Sequence, residues 1–320
     1  MKPLPTLAEL RSGGKRALAS ALAAIEAQAE SRATADLLDE ACAAPRAHVL
    51  GVTGPPGVGK STLINALIAR LRSRGETVGV VAVDPSSRRT GGALLADRAR
   101  VMTDPGDRGV YMRSMAARDR LGGLSDQTIG AMVLMRAIYD RVLVESVGIG
   151  QSESDISFVS DTLLLCVQPS SGDALQFMKA GVMELPDIVA VNKSDLGQAA
   201  HRARADVEGA LRLFAGAAEF PAPVILVSAA QDSGLGELEA AVARHRDWLG
   251  QSDRLAQRRR AQESAWVDET IRARFGSIGL AAARKLSLGA GGPFTRERLI
   301  TRELAARLDS STSPRRPIKS

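Results

Sequence analysis

The sequence predicts an α/β fold, in which a doubly wound, mostly parallel sheet is flanked by N-terminal and C-terminal helical arms. Between residues 47 and 250, short apolar runs rich in β-branched residues alternate with helical segments, which is typical of strands buried on both faces of a parallel sheet. Outside this region, apolar residues recur at helical spacing. The predicted strands are His48–Thr53, Thr77–Val83, Arg141–Glu145, Thr162–Gln168, Ile188–Val191 and Val224–Val227.

The chain is expected to divide into four regions. A helical arm covers residues 1–46, the α/β domain covers 47–250, and a second helical arm covers 251–308. The remaining residues, 309–320, are rich in Ser, Pro and Arg. This composition is typical of a disordered tail.

Composition limits the class of protein. The chain has 320 residues, of which 45% are apolar and 24% charged, enough for one large domain or two ordinary ones with a buried core. Its apolar runs are much shorter than the roughly 20 residues that a membrane-spanning helix needs, so we expect no membrane association. The two cysteines, Cys42 and Cys166, make neither a disulfide framework nor a metal cluster. They favour a reducing, cytoplasmic compartment.

A phosphate-binding loop follows the first predicted strand. It matches G-x-x-x-x-G-K-[ST], and an apolar-periodic helix begins with Thr62. Glycines in such a P-loop let backbone N–H groups point at phosphate oxygens, and the helix N-terminus adds positive potential. We expect Lys60 to reach the β- and γ-phosphates and the Ser61 hydroxyl to bind Mg²⁺. The loop comprises Gly54, Pro55, Pro56, Gly57, Val58, Gly59, Lys60 and Ser61.

A second motif, Asn192-Lys193-Ser194-Asp195, indicates which base is bound. The Asp195 carboxylate can accept two hydrogen bonds from guanine, a pairing that adenine cannot offer. Adenine would leave this carboxylate unpaired, so the site is expected to select GTP over ATP. After the next strand, Ser228 and Ala229 are expected to place a backbone N–H near the guanine carbonyl oxygen.

Two carboxylates end strands between these motifs. Glu145 ends one strand and Asp84 follows another. In P-loop proteins an acidic residue at such a position faces Mg²⁺, and the glycine three residues later donates to the γ-phosphate, which Glu145 and Gly148 fit. For Asp84 a turn or helix cap is the alternative interpretation, but the carboxyl end of a parallel sheet favours a ligand site. The usual water-positioning glutamine would directly follow Gly148, and here Gln151 lies three residues after that glycine. Gln151 is a candidate for this role, and we expect slow intrinsic hydrolysis.

Longer strings around these motifs are not general to P-loop proteins. They are Val83-Asp84-Pro85-Ser86-Ser87, Thr90-Gly91-Gly92, Arg113-Ser114-Met115-Ala116, Leu121-Gly122-Gly123, Glu145-Ser146-Val147-Gly148-Ile149-Gly150-Gln151-Ser152-Glu153 and Val191-Asn192-Lys193-Ser194-Asp195. Through them the region from Ala47 to Ala229 closely resembles the MeaB/ArgK-type GTPases, chaperones of adenosylcobalamin-dependent methylmalonyl-CoA mutase and related acyl-CoA mutases.

The resemblance implies a homodimeric GTPase that binds such a mutase. GTP binding and hydrolysis would gate cofactor delivery and protect or reactivate the mutase. The resemblance also implies a metal neighbourhood with carboxylates at Asp84, Asp97 and Glu145, although the pattern alone places Asp97 on the polar face of a helix.

The resemblance further implies a mobile loop that couples nucleotide state to the mutase, at residues 169–179. Gln176 and Lys179 are its candidate coupling side chains, and ordinary helix-surface positions are the alternative. The chain departs from the family pattern at Arg118-Asp119, where members often have Arg-Gly, and at Ala93, where they often have Ser. Both departures lie in expected switch regions, so they bear on switch geometry and partner choice.

Two other functions remain as alternatives. A nickel-insertion GTPase of the urease or hydrogenase maturation type shares the expected core, but it needs His or Cys ligands near the nucleotide. Here His48, His201 and His245 are far apart in sequence, and neither cysteine belongs to a CxxC or CH pair. A kinase acting on a transport protein is the third possibility, and the sequence contains nothing that resembles a kinase catalytic loop.

The net charge of +6 comes from one end of the chain. Residues 251–320 hold 15 Lys and Arg against 7 Asp and Glu, whereas residues 1–250 hold 27 against 29. The aromatic residues of this arm are too few and too separated for a nucleic-acid stacking surface. We therefore interpret it as an Arg-rich dimerisation arm and expect no nucleic-acid partner.

Overall fold

The computed structural model describes residues 3–84, 106–116, 126–146, 156–169, 186–214 and 219–312. Within these ranges seven strands form one sheet in the order β3-β2-β4-β1-β5-β6-β7, and every neighbouring pair is parallel. The predicted fold class is confirmed. The strands are β1 His48–Thr53, β2 Val78–Asp84, β3 Val110–Ala116, β4 Arg141–Glu145, β5 Thr162–Val167, β6 Ile188–Val191 and β7 Val224–Leu226.

The order of the strands places β1 between β4 and β5. All residues of β1, β5 and β6 are buried, as expected for continuous apolar strands covered on both faces. The register sets Val52 opposite Glu145 and Thr53 opposite Leu165. The carboxyl ends of β4, β1 and β5 therefore meet at one edge of the sheet, where open α/β sheets bind ligands.

Strand β3 was not among the six predicted strands. It lies at the edge of the sheet and pairs along its length with β2, from Val78↔Val110 to Asp84↔Ala116. Its sequence mixes apolar residues with Arg113 and Ser114, so it lacks the apolar run by which buried strands are recognised. Arg113 forms an ion pair with Glu26 of the N-terminal arm. The other six strands end within one residue of their predicted bounds.

Eight α-helices are present in the described ranges. Two precede the sheet, four alternate with its strands or follow them, and two end the chain. They are α1 Leu7–Ala27, α2 Arg32–Ala43, α3 Lys60–Ser73, α4 Asp126–Ile138, α5 Gln198–Phe214, α6 Leu235–Leu249, α7 Arg254–Ala283 and α8 Pro293–Thr312. Helix α8 continues past residue 308, where the tail was expected to begin. None of the eight described helices combines the length with the apolar composition that a membrane-spanning segment requires.

The helices cover both faces of the sheet. On one face α3 and α6 pack on the strands, through residues such as Ile64 and Leu238. On the other face α1, α2, α4, α7 and α8 share one hydrophobic cluster with the sheet, and α5 forms a smaller cluster beside it. The terminal helices thus bury their apolar faces against the α/β core.

Helix α8 is joined to the N-terminal arm through Asp39 of α2. The Asp39 carboxylate accepts hydrogen bonds from the backbone N–H groups of Phe294 (2.9 Å) and Thr295 (3.1 Å), two of the donors left free at a helix start. A Cβ at Gly292 would lie 2.4 Å from the carboxylate, so this approach needs glycine. The ring of Phe294 packs on Trp266 of α7, with 4.9 Å between ring centroids.

Two arginines of α7 join this helix to the amino-terminal edge of the sheet, which we call its base. Arg259 donates to Asp161 with nitrogen–oxygen distances of 2.8 and 2.6 Å, and Arg258 donates to Asp187 at 3.0 and 2.8 Å. Both carboxylates precede strands. Asp161 has no solvent exposure, and the hydrogen bonds from Arg259 hold its pKa below the ordinary range although burial opposes this shift. Part of the basic excess of the C-terminal arm is therefore neutralised inside the fold.

Candidate functional site

The loop between β1 and α3 has the backbone geometry of a phosphate-binding loop. Gly54, Gly57 and Gly59 have φ angles of 137°, 80° and 91°, in the region that favours glycine. A Cβ at Gly54 would lie 2.1 Å from the Cys166 carbonyl oxygen, and one at Gly59 would lie 2.4 Å from Nδ2 of Asn192. The loop therefore closes on β5 and β6 at positions where side chains do not fit.

Lys60 is the first residue of α3 and is only 7% exposed. Its ammonium donates to the carbonyl oxygens of Gly54 (2.7 Å) and Pro55 (2.9 Å), so it lies inside the curve of the loop. Val58 is buried beneath the loop, whereas Pro56 and Thr62 are exposed. The backbone of the loop thus curves around the ammonium group of Lys60, and the space enclosed by this curve is the candidate phosphate site.

Ser61 and Glu145, both predicted as metal ligands, are in direct contact. The Ser61 hydroxyl donates to Oε1 of Glu145 at 2.8 Å. The contact arises because Glu145 ends β4, directly beside β1 and its loop. Next to it, the hydroxyls of Thr53 and Ser146 lie 2.8 Å apart, a pair that the sequence analysis did not identify.

The other predicted catalytic, metal and coupling residues are not placed by the structure. The backbone of Asp84 ends β2 at the same edge of the sheet, and its side chain is not described. Asp97, Gly148, Gln151, Gln176 and Lys179 lie outside the described residues, as do Ala93 and Arg118-Asp119. Among the residues that are described, no group of three or more His, Cys, Asp or Glu side chains could hold a metal ion.

Asn192 joins the phosphate-binding loop to the loop after β7. Its side-chain nitrogen donates to the carbonyl oxygen of Val58 at 2.7 Å, and its Oδ1 accepts from the backbone N–H of Ala229 at 3.4 Å. Asn192 is 3% exposed. Its position directly after β6 brings it across β5 to the P-loop, a contact that the sequence did not predict.

Lys193 and Asp195 flank the same space. Lys193 has a φ of 58° and donates to the Gly57 carbonyl oxygen at 3.1 Å. It also donates to the side chain of Gln168, a contact that sequence reasoning missed, although Gln168 directly follows β5. The Asp195 carboxylate accepts from the Ser228 hydroxyl at 2.6 Å. One hydroxyl thus orients a solvent-exposed carboxylate, whose other oxygen has further acceptor capacity.

Cys166 lies behind the P-loop and is fully buried. Burial raises the pKa of its thiol to about 12, so the thiol stays protonated near neutral pH. A protonated, enclosed thiol is a poor nucleophile and metal ligand. Its role is to pack behind the loop.

A family model for the methylmalonyl Co-A mutase-associated GTPase MeaB matches residues 18–282. The chain belongs to the MeaB family. As a MeaB-family GTPase, it is expected to bind a guanine nucleotide. The match includes the P-loop, Glu145 and the Asn192–Asp195 motif, which the structure brings to one edge of the sheet.

Relatives of this MeaB-family chain are named as GTPases in archaea and bacteria. It is 40% identical over 267 residues to a putative GTPase of Pyrococcus horikoshii, covering 82% of this chain and 84% of the relative. It is 41% identical over 230 residues to a probable GTPase of Mycobacterium tuberculosis, covering 71% and 68% of the two chains. The mouse protein named methylmalonic aciduria type A homolog, mitochondrial, is 36% identical over 227 residues, which cover 70% of this chain and 55% of the mouse protein.

A solved structure described as a LAO/AO transport system kinase has a similar fold. The TM-score is 0.65 at 27% sequence identity, and the match covers 95% of this chain and 96% of the solved one. The likeness extends through both helical arms. The arms therefore belong to the architecture shared with that protein.

Proposed function

We propose that this chain binds GTP and GDP together with Mg²⁺ and serves as a GTP-hydrolysing chaperone of an adenosylcobalamin-dependent acyl-CoA mutase. Nucleotide turnover would gate cofactor delivery and protect or reactivate the mutase. The proposal rests on one juxtaposition within a MeaB-family fold. The P-loop, the Ser61–Glu145 pair and Asp195 lie along one edge of the sheet, at the ends of neighbouring strands.

Phosphate binding is assigned to the P-loop from Gly54 to Thr62. The open backbone between its glycines supplies N–H donors, and α3 adds the positive end of its dipole. We propose that Lys60 exchanges the carbonyl oxygens of Gly54 and Pro55 for phosphate oxygens. The exchange is favourable because a charged acceptor forms a stronger hydrogen bond than a neutral carbonyl.

The chemistry at Ser61 and Glu145 fits Mg²⁺, which prefers oxygen ligands. Because the Ser61 hydroxyl donates its proton to Glu145, its lone pairs remain for a cation. Glu145 thereby orients the hydroxyl and supplies negative charge beside it. Asp84 and Asp97 are proposed as further carboxylates of the metal neighbourhood. The metal would supply positive charge to the β- and γ-phosphates.

Hydrolysis is assigned to the same edge of the sheet. We propose that Lys60 stabilises charge on the γ-phosphate, that Gly148 donates its N–H to that phosphate and that Gln151 positions water. Turnover is slow until the partner completes the site. GTP-bound and GDP-bound forms can therefore persist long enough to act as two states of a switch.

Guanine recognition is assigned to Asp195, with Asn192, Lys193, Ser228 and Ala229 around it. The Ser228 hydroxyl holds one oxygen of Asp195 in place. The carboxylate can then accept from N1–H and N2–H of guanine. The N–H of Ala229, which donates to Asn192 at 3.4 Å, would exchange this long contact for the carbonyl oxygen of the base. Adenine offers no matching donors, so Asp195 would lose hydrogen bonds without replacement.

Dimerisation is assigned to the C-terminal arm. Ile278 of α7 is 85% exposed, in the part of the helix that follows a kink at Gly276, and Leu308 of α8 is 56% exposed. Large apolar side chains at such exposure are typical of association surfaces when they cluster.

Gln176 and Lys179 are proposed to couple nucleotide state to the mutase. The free cysteines Cys42 and Cys166 suit a cytoplasmic setting, which is the compartment that we propose for the chain.

The buried histidines pack in the core and do not favour the nickel-insertion alternative. Thr162 lies between them, with its hydroxyl 2.7 Å from Nε2 of His48 and 2.8 Å from Nδ1 of His245. This trio lies at the start of β1 and β5, at the edge of the sheet opposite to the P-loop. The third histidine, His201, is exposed on α5.

The decisive experiment measures single-turnover and multiple-turnover GTP hydrolysis with the purified chain alone and with candidate cobalamin-dependent acyl-CoA mutases. We expect slow turnover alone and acceleration by one mutase. A Lys60→Ala variant should lose this stimulation, whereas Lys285→Ala in the C-terminal arm should keep it. If no cobalamin mutase accelerates hydrolysis, or if the isolated chain turns over rapidly, the chaperone assignment is wrong.

A further inference from the structure

A cavity of about 370 Å³ lies between α3 and α6, over the first halves of β1 and β4. It is at the edge of the sheet opposite to the P-loop, so the nucleotide site does not use it. Its floor consists of aliphatic side chains, among them Leu50, Leu67 and Val142. Its volume is within the range of about 300–1,000 Å³ that is usual for small-molecule sites.

Three arginines surround the mouth of this cavity, one from each wall. They are Arg74 after α3, Arg141 at the start of β4 and Arg246 of α6. Their side chains are between 29% and 47% exposed, so each guanidinium is partly withdrawn from water. Partial withdrawal strengthens the interaction of a guanidinium with an anion, because solvent screens the charges less.

The carboxylates at the mouth do not balance these arginines. Glu76 is shared, with its oxygens 3.0 Å from Arg74 and 2.8 Å from Arg141. Glu239 is also shared, at 2.9 Å from Arg74 and 2.8 Å from Arg70, which lies outside the cavity lining. Two carboxylates thus serve three guanidinium groups before Arg246 is counted, and of these only Arg70 has a further carboxylate among the described residues, Asp232 at 3.7 Å.

Arg246 pairs with a different carboxylate. Its contact is with Asp247, the next residue of the same helix, at 3.3 Å, and Asp247 is 68% exposed. Burial lowers the pKa of Arg141. The charges of Glu76 and Asp140 oppose this shift, whereas those of Arg246 and Arg74 add to it. The guanidinium groups therefore repel one another, and an anion between them would relieve that repulsion.

We propose that this cavity binds a small aliphatic carboxylate, with its chain on the leucine and valine floor and its carboxylate between Arg246 and Arg141. An aliphatic body matches the aliphatic floor. Arg offers a planar pair of donors that fits a carboxylate. A single negative charge matches the mouth, where three lining arginines face two glutamates.

Hexanoate is the probe for this proposal, titrated calorimetrically into the full-length protein at low ionic strength. Hexan-1-ol and hexylamine have the same chain with a neutral and a positive group. We expect saturable binding of hexanoate in the millimolar range and affinities at least about tenfold lower for the two other compounds. Equal binding of hexanoate and hexan-1-ol would overturn the proposal, and so would no binding of hexanoate.

Three variants locate the binding. Arg246→Gln should weaken hexanoate binding about tenfold, since it removes a charge-assisted contact. Arg244→Gln is the matched control, because Arg244 is exposed on the same helix and does not line the cavity. Ala243→Leu should weaken binding, because Ala243 lines the cavity and the larger side chain would occupy part of the space for the aliphatic chain.

The readouts keep folding and binding apart. Binding of a fluorescent GTP analogue reports the opposite edge of the sheet and should be the same for wild type and all three variants. If Arg246→Gln fails to fold, Ala243→Leu alone decides. Unchanged hexanoate affinity in a folded Ala243→Leu protein places the anion elsewhere and overturns the assignment. The same conclusion follows if Arg246→Gln and Arg244→Gln bind hexanoate equally.

Discussion

Arg259 forms a two-pronged ion pair with Asp161, which holds the C-terminal arm against the base of strand β5. Asp161 is fully buried, and the Arg259 side chain is 12% exposed. Replacing Arg259 with Met removes the guanidinium but leaves the carboxylate buried. We expect the free energy of unfolding to fall by about 3–5 kcal/mol, measured by urea denaturation, because an uncompensated buried charge is costly.

The control for this prediction is the next residue. Arg260 pairs with Asp253 at 2.7 Å, but both side chains are about 60% exposed. Arg260→Met should therefore change the free energy of unfolding by less than about 1 kcal/mol. Equal effects of the two substitutions would show that the Arg259–Asp161 pair does not anchor the arm.

His48 gives the fold a pH dependence. Burial lowers its pKa from 6.5 to about 4, with the charges of Arg259 and His245 adding to this and Asp161 opposing it. Between these two pH values the unfolded chain binds the proton and the folded chain does not. Stability is therefore retained at pH 7 and falls as the pH is lowered toward 4, by about 2 kcal/mol between pH 7 and pH 5.

The test is the slope of unfolding free energy against pH between 5 and 7. The slope should decrease in His48→Gln and remain in His201→Gln, whose histidine is exposed. The carboxylates Asp161 and Asp187 have lowered pKa values and lose their contribution only below about pH 4. Identical slopes for wild type and His48→Gln would contradict the prediction.

Asp195→Asn should change the base preference. The amide presents a donor where guanine also donates, so GTP affinity should fall by about 100-fold or more. Xanthosine triphosphate has a carbonyl at C2, where guanine has its amino group. This nucleotide should therefore bind the variant more tightly than GTP does. Fluorescent competition binding measures both affinities. Asp206→Asn, an exposed change on α5, is the control, and equal GTP binding by the two variants would exclude the assignment.

Ser61→Ala should alter the Mg²⁺ requirement. It removes the hydroxyl that contacts Glu145, so we expect the Mg²⁺ concentration for half-maximal hydrolysis to increase about tenfold. Ser73→Ala, at the exposed end of α3, should leave it unchanged. If Ser61→Ala requires the same Mg²⁺ concentration as the wild type, Ser61 is not a ligand of the metal.

Ile278→Asp should shift the protein toward monomer in sedimentation velocity, because a charge would be placed in the proposed dimer interface. Leu213→Asp is the control, since Leu213 is 81% exposed on α5 of the core. If both variants sediment as the wild type does, the dimer does not use this part of the arm.

The sequence predicted the central strands because they are continuous apolar runs, and it predicted the P-loop and base motifs because their spacing is specific. It missed β3, whose edge position tolerates Arg113 and Ser114. It also missed the contact of Gln168 with Lys193 and the pairing of Arg259 with Asp161. These contacts join residues from different elements, and neither residue of a pair carries a local pattern that identifies its partner.

The bond between Asp39 and the start of α8 sets an order of assembly. The two partners are separated by 255 residues, so nearly the whole chain must leave the ribosome before the contact can form. Until then the surface of α2 on which α8 packs has no partner from the C-terminal arm. The N-terminal arm can fold early on the sheet, but its final packing is completed last, when the end of the chain returns to it.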